Sequence, residues 1–253
     1  FMAKVKEIFE WMDDRYPFAL AENYDNCGLL IGDTERVVSR CMLALDVTGE
    51  VLADAICWQA DLIITHHPVI FNALKRLSVG DIPYECIRHG IAVLSSHTCL
   101  DRAIGGVNDA LSECLSLQNV TILDETDGFL RTGILPKVME PVEFAAYCKK
   151  TLSSGGIRAV LGERSIGKVG LCSGAGGSFV GEAIKAGCDA YLTGEVKHHE
   201  AIIAKNAGIT LIDAGHFETE TVVLPQLEKK LKSAFPEIEF SISAANQPVM
   251  EWL

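Results

Sequence analysis

The sequence predicts an α/β fold built from two similar halves, and three observations carry that expectation. Short apolar runs of four or five residues alternate with segments of helical periodicity along the whole chain, the pattern of a sheet with parallel pairing and helical crossovers. The chain also resembles itself. At an offset of 128, Ala55-Ile56 falls on Ala183-Ile184, Asp61 on Asp189 and Thr65 on Thr193. At an offset of 119, His97-Thr98-Cys99-Leu100-Asp101 falls on His216-Phe217-Glu218-Thr219-Glu220. Finally, 253 residues with 49% hydrophobic and 22% charged content suffice for two cores of ordinary size. The expected domains span 2–125 and 126–253, with the cores of the two intertwined and a short linker near 120–128. Phe1 ahead of Met2 reads as an appended residue.

The elements follow in order. Apolar residues at 5, 8, 9 and 12 make a helical stripe over 3–15, closed by Pro17. Asn23 to Gly28 has turn composition ahead of a strand at 29–31. Strands are expected at 41–45, 62–65 and 92–95, and helices at 50–59, 82–89 and 106–114. In the second half strands are expected at 130–135, 159–161, 169–172, 190–193, 209–213 and 238–242. The intervening helices are 141–152, 180–186, about 197–206 and about 218–234. Pro141 suits a helix start; Pro225 should kink the last helix or mark its first turn.

Composition narrows the function classes. The nine cysteines are odd in number, contain no Cys-x-x-Cys, and sit mostly in apolar runs, as Cys41, Cys57 and Cys188 do. They read as buried free thiols in a reducing compartment, with Cys99 set apart by its place between His97 and Asp101. A net charge of −12 without a run of Lys or Arg counts against nucleic acid as a partner. No apolar run reaches the roughly 20 residues that span a bilayer, and no signal peptide is visible, so the expected address is cytoplasmic.

The chemistry concentrates at strand ends. Asp61 to Thr65 runs straight into His66-His67-Pro68, at the carboxyl edge of a strand where ligands gather in α/β sheets. Neighbouring side chains within a strand point to opposite faces, so the two rings suit two different metals once the chain turns. His216 and Glu220 share a face one helical turn apart, and His97 and Asp101 have the same spacing. The candidate metal ligands are therefore His66, His67, Asp101, His216 and Glu220, with His97 a possible sixth. Imidazole plus carboxylate without thiolate suits Zn, Mn, Fe, Co or Ni, and two such ions make a hydrolytic centre. By the repeat, Gly194-Glu195 stands where His66-His67 stand, which makes Glu195 a candidate acceptor behind a ligand or a general base. Ser173 to Ser178 reads either as a phosphate-holding turn or as a tight strand–helix connection needing positive φ. His198 and His199 are placed on a helix surface.

These residues resemble the NIF-three-like dinuclear-metal proteins, often labelled GTP cyclohydrolase I type 2 homologues. The similarity rests on Asp25-Asn26-Cys27-Gly28-Leu29, Leu45-Asp46-Val47-Thr48, Thr65-His66-His67-Pro68, His97-x-x-x-Asp101, Gly105-Gly106-Val107-Asn108-Asp109, Gly174-Ala175-Gly176, Thr193-Gly194-Glu195 and His216-x-x-x-Glu220. Tyr24 stands where Trp is usual and Cys99 where Asn is common. The resemblance implies two similar α/β domains, a dinuclear centre in the cleft between them, and a toroidal homohexamer. It carries the metal ligands onto the same five residues. The activity it implies is opening of the purine imidazole ring of GTP by a metal-bound hydroxide, or attack on a related nucleotide. For that chemistry this chain offers His97 or Glu195 to move protons and Lys197, Arg102 or the Gly174–Gly177 turn as candidate phosphate anchors. The competing expectations are a non-enzymatic metal-handling or regulatory protein and a nucleic-acid-binding ring.

Overall fold

A computed structural model describes residues 3–123 and 126–252. Phe1 and part of the expected linker lie outside these residues. The first elements are α1 (Val5–Arg15), β1 (Gly28–Ile31), β2 (Arg40–Ala44), α2 (Gly49–Trp58), β3 (Leu62–Thr65), α3 (Ile82–Arg88), β4 (Ala92–Ser95) and α4 (Thr98–Arg102). They are followed by α5 (Val107–Cys114), β5 (Gln118–Ile122), β6 (Arg131–Met139), α6 (Pro141–Thr151), β7 (Arg158–Val160) and β8 (Ile166–Leu171). A 3-10 turn at Gly176–Phe179 leads to α7 (Val180–Lys185), β9 (Ala190–Thr193), α8 (His198–Ala207) and β10 (Thr210–Asp213). The chain closes with α9 (His216–Glu220), α10 (Val223–Ala234) and β11 (Glu239–Ile242). No helix among the described residues is long and apolar enough to cross a membrane.

The chain divides into two compact units. The first comprises the described residues through Ile104 together with Leu224–Gln247; the second comprises Gly105–Val223 with the described residues from Pro248. A single cut at 125/126 does not describe this division, for two reasons visible in the pairing. Strand β5, expected to be linker, is hydrogen-bonded to β6. Strand β11, at the end of the chain, returns to pair parallel with β2.

In the first unit the sheet order is β1-β4-β3-β2-β11, parallel throughout except for antiparallel β1. Every residue of β3 and β4 is buried, which explains their unbroken apolar runs: a parallel strand covered on both faces has no solvent side to alternate with. Helix α2 starts where the Thr48 hydroxyl accepts from Val51 N at 3.2 Å and ends at Gln59 in the left-handed conformation. Helix α1 buries Val5, Ile8 and Met12, the stripe read from the sequence. Helix α10 buries Leu224, Leu227 and Leu231, and its Lys230 ammonium donates to the Tyr16 hydroxyl at 3.1 Å.

The second unit has the order β5-β6-β8-β9-β10-β7. Strands β8, β9 and β10 run parallel, with β7 antiparallel beside β10. The trio β2-β3-β4 of the first unit and the trio β8-β9-β10 of the second are thus equivalent, each flanked by an antiparallel strand and followed by a five-residue helix. The 128 offset sets Leu62 on Ala190, the first residues of β3 and β9.

Four elements depart from expectation, and Cys57, expected to be buried, is exposed. The helix expected over 218–234 is two helices, α9 and α10, broken at 221–222, with Pro225 inside the first turn of α10. Strand β6 runs on to Met139 through Pro136 because its register with β8 shifts between Ile134 and Met139, so proline meets no regular ladder position. Helix α4 and strand β5 lacked the apolar periodicity that would have announced them; every residue of β5 is exposed.

Candidate metal-binding residues in each unit

In the first unit, β3 ends at Thr65 and leaves His66 and His67 on the turn beyond the sheet's carboxyl edge. His66 is 1% exposed and its Nδ1 lies 2.9 Å from the Ser96 carbonyl oxygen. His67 Nδ1 lies 2.9 Å from Asp46 Oδ1. Asp46 lies two residues past the end of β2, so strands β2 and β3 deliver the carboxylate and the ring together. After β4 comes His97, whose Nδ1 is 2.9 Å from Asp25 Oδ1. One ligand-capable atom each from His66, His67 and His97 lie within 4.8 Å of one another. Asp101, on α4, puts Oδ1 3.5 Å from His66 Nε2.

Asp25 organises this group. Besides His97 it accepts from Thr98 N at 3.0 Å and from the Thr98 hydroxyl, so it caps α4, which has no side-chain cap of its own. Burial alone would raise its pKa, but the hydrogen bonds from His97 and Thr98 and the nearby imidazole outweigh that and hold the carboxyl well below the ordinary carboxylate range. Cys27 adds a thiol contact to Asp25 Oδ2 at 3.3 Å and accepts from His97 N. Cys99 is fully buried with its sulfur 3.2 Å from Ser96 Oγ.

In the second unit, α9 begins at His216 after the Gly215 turn. His216 Nε2 lies 3.0 Å from Glu220 Oε1, and its Nδ1 lies 2.7 Å from Glu195 Oε1. Glu220 is 3% exposed. Glu195 therefore stands behind His216 as Asp46 stands behind His67. His198 and His199 open α8 and are exposed.

The Ser173–Ser178 segment resolves toward packing. Its first two amides are used internally, Ser173 N by Asn108 Oδ1 at 2.8 Å and Gly174 N by Thr219 Oγ1 at 3.0 Å. Gly174 has φ +55°, and a Cβ there would overlap Glu220 Oε1 and sit 3.2 Å from His216 Nε2. The glycine is where the backbone passes directly beneath these two side chains. Arg102, one phosphate anchor considered from the sequence, is engaged by the Leu20 carbonyl at 2.7 Å and by Glu22 at 3.3 Å. Asp109 takes Arg131 Nε at 2.5 Å.

One regularity spans all four histidines. Each presents Nδ1 to an oxygen acceptor: Ser96 O, Asp46, Asp25 or Glu195. With Nδ1–H donated, the lone pair sits on Nε2, the tautomer that ligates a metal, and the acceptor fixes the ring's direction. In His66 and His216 that Nε2 faces a carboxylate oxygen. Sequence reasoning found the rings and, through the repeat, Glu195 as the acceptor behind one of them, but not Asp46 or Asp25. Asp46 and Asp25 carry no periodic signal, although an acidic residue just past a parallel strand, as Asp46 is, falls where functional groups collect.

Two α/β units, each with a parallel strand trio followed by a histidine four residues ahead of a carboxylate, define a duplicated protein with metal-type donor sets. The chain belongs to the Duf34/NIF3 (NGG1p interacting factor 3) family, whose profile matches residues 3–248. It is 32% identical over 262 residues to a Clostridium perfringens protein named GTP cyclohydrolase 1 type 2 homolog, covering 99% of this chain and 100% of that one. It is 34% identical over 227 residues to the Helicobacter pylori GTP cyclohydrolase 1 type 2, covering 87% and 88%. Among solved structures, the Staphylococcus aureus hypothetical protein SA1388 superposes with a TM-score of 0.93 at 28% identity over 100% of both chains. Reduced HcgD from Methanocaldococcus jannaschii gives 0.82 at 27% identity, covering 96% and 99%.

Proposed function

We propose that the protein is a metal-dependent hydrolase using two divalent cations, held by His66, His67 and Asp101 of the first unit and His216 and Glu220 of the second. The observation that carries this reading is the common orientation of the imidazoles, each held through Nδ1 by an oxygen acceptor, the arrangement that supports a histidine ligating through Nε2. The donor set fits the group: imidazole and carboxylate without thiolate suits Zn, Mn, Fe, Co or Ni. Bound there, such cations supply Lewis acidity and a nucleophile at neutral pH. The chain's own residues do the rest. Asp46 and Glu195 keep His67 and His216 in the ligating tautomer, and Asp25 holds His97 with one ring nitrogen available to accept or return a proton at the substrate.

The names of the relatives support a nucleotide-like substrate, GTP first, with opening of the purine imidazole ring as the reaction. The homohexamer implied by the resemblance is the proposed assembly, checked by light scattering. The functional test assays metal-defined protein against GTP and a nucleotide panel, following formate and phosphate together. Formate release that falls by ~10² or more in Glu220→Gln, with the variant still folded, is the expected outcome. GTP surviving in every metal form while a phosphoester is cleaved removes the cyclohydrolase part. Fast metal exchange without any turnover favours the metal-handling alternative.

A further inference from the structure

The second unit contains a cavity of about 210 Å³ that the metal-binding residues do not use. It opens between edge strand β7, strand β10 and the start of α8. Its charged and polar lining is Arg158, Lys197, His198 and Asp213, over a floor that includes Val160, Val196 and Leu211. Two of these positions adjoin residues already described: Val196 follows Glu195, and Asp213 lies three residues before His216.

The charge balance in this cavity is positive, in a chain whose formal charge is −12. Asp213, 4% exposed, is fully committed. Its Oδ2 accepts from Arg158 and from Val196 N at 3.2 Å, and its Oδ1 from Gly215 N at 3.4 Å. It thus holds the Arg158 guanidinium at the cavity wall and cancels one charge. Arg158 remains 68% exposed in its side chain, with further donors of its planar fork facing outward. The Lys197 ammonium and the His198 ring have no hydrogen-bond or ion-pair partner among the described residues. The end of α8 does not supply the attraction, because Glu200 Oε2 already accepts from Lys197 N at 2.7 Å. The side chains do.

Size sets the ligand class. At ~30 Å³ per water the cavity holds the equivalent of about seven waters, below the ~300–1,000 Å³ of pockets that enclose whole small-molecule ligands. It suits one substituent of a larger molecule. We infer that this cavity is an anion subsite that takes an oxyanion group of the substrate, a phosphate or a carboxylate, on Lys197 and Arg158 with His198 at its side. The inference rests on the hydrolase reading for the word substrate; the anion site itself does not depend on turnover.

The test follows the His198 imidazole resonances of the full-length, metal-loaded protein while inorganic phosphate is added at fixed pH and ionic strength, chloride making up the balance. Acetate is titrated in a second arm. His199, the adjacent exposed ring outside the cavity lining, is the internal control. A saturable His198 shift, absent at His199 and weakened about tenfold or more in Lys197→Met, is expected, the loss that follows removal of one charge-assisted hydrogen bond. Lys197→Met removes no contact within the fold, so it reports on binding; Arg158→Met, which strips Asp213 of its partner, is read only alongside it. Saturation with phosphate alone identifies a phosphate-bearing ligand, and saturation with acetate alone a carboxylate. Parallel, non-saturating shifts of both rings, or a saturable shift unchanged in Lys197→Met, overturn the inference. If His198 saturates while no nucleotide is turned over, the hydrolase reading fails and the subsite stands.

Discussion

Replacing Gly174 by alanine tests the local geometry on which the second unit's proposed metal ligands, His216 and Glu220, depend. Two costs are separable. At φ +55° an L-residue pays about 1–2 kcal/mol for the left-handed conformation. The added methyl also overlaps Glu220 Oε1, and overpacking of this kind costs about 1–3 kcal/mol if the neighbours stay in place. With Glu220 and His216 fixed, Gly174→Ala is therefore expected to destabilise the metal-free protein by about 2–5 kcal/mol, lowering the urea midpoint by ~1–2 M at ordinary m-values. If Glu220 swings aside instead, the loss falls to the backbone term alone. The carboxylate then leaves its position 3.0 Å from His216 Nε2, and metal affinity drops by ~10-fold or more. Gly187→Ala is the control, since Gly187 has φ +70° with nothing near its would-be Cβ; it should show only the backbone cost. Urea unfolding of chelator-treated protein and calorimetric metal titration measure the two quantities. A Gly174→Ala protein matching Gly187→Ala in stability and the wild type in metal affinity refutes the reasoning.

Other outcomes follow from the same contacts. Asp46→Asn keeps the shape but weakens the acceptor of His67 Nδ1, and is expected to lower metal affinity by ~10–100-fold with little change in unfolding midpoint, as measured by competition with a chromophoric chelator. Asp25 has a folded-state pKa depressed below its ordinary 3.8, so its contribution to stability is complete above about pH 4 and is lost as pH falls toward the folded value. Urea midpoints of metal-free wild type should accordingly fall between about pH 5 and pH 2 more steeply than those of Asp25→Asn. Arg131 is fully buried against Asp109, and Asp109→Ala, which removes a carboxylate bonded to that guanidinium, is expected to cost about 3–5 kcal/mol by denaturant unfolding.

The strand–helix order, the repeat and the five candidate ligands are all legible in the chain because each leaves a local trace. Buried parallel strands such as Leu62–Thr65 must be continuously apolar, and a His-x-x-x-Asp/Glu spacing on a short helix repeats at a fixed offset. Pro225 signalled a kink or a helix start, and α10 does begin at Val223; the extension of β6 through Pro136 was not legible, since it depends on register with β8. The sequence by itself determined the His66-His67 turn, the two His-x-x-x-Asp/Glu pairs and the two-unit plan. Only the tertiary structure decided that β11 returns to the first sheet and β5 joins the second, because strand pairing is a long-range hydrogen-bonding choice with no local code. Only it decided that Asp25 and Asp46 stand behind His97 and His67, and that Glu195, a candidate acceptor from the repeat, has His216 as its ring. A carboxylate finds its ring partner through the fold, from positions 21 to 72 residues away, and nothing in its neighbours along the chain records that meeting.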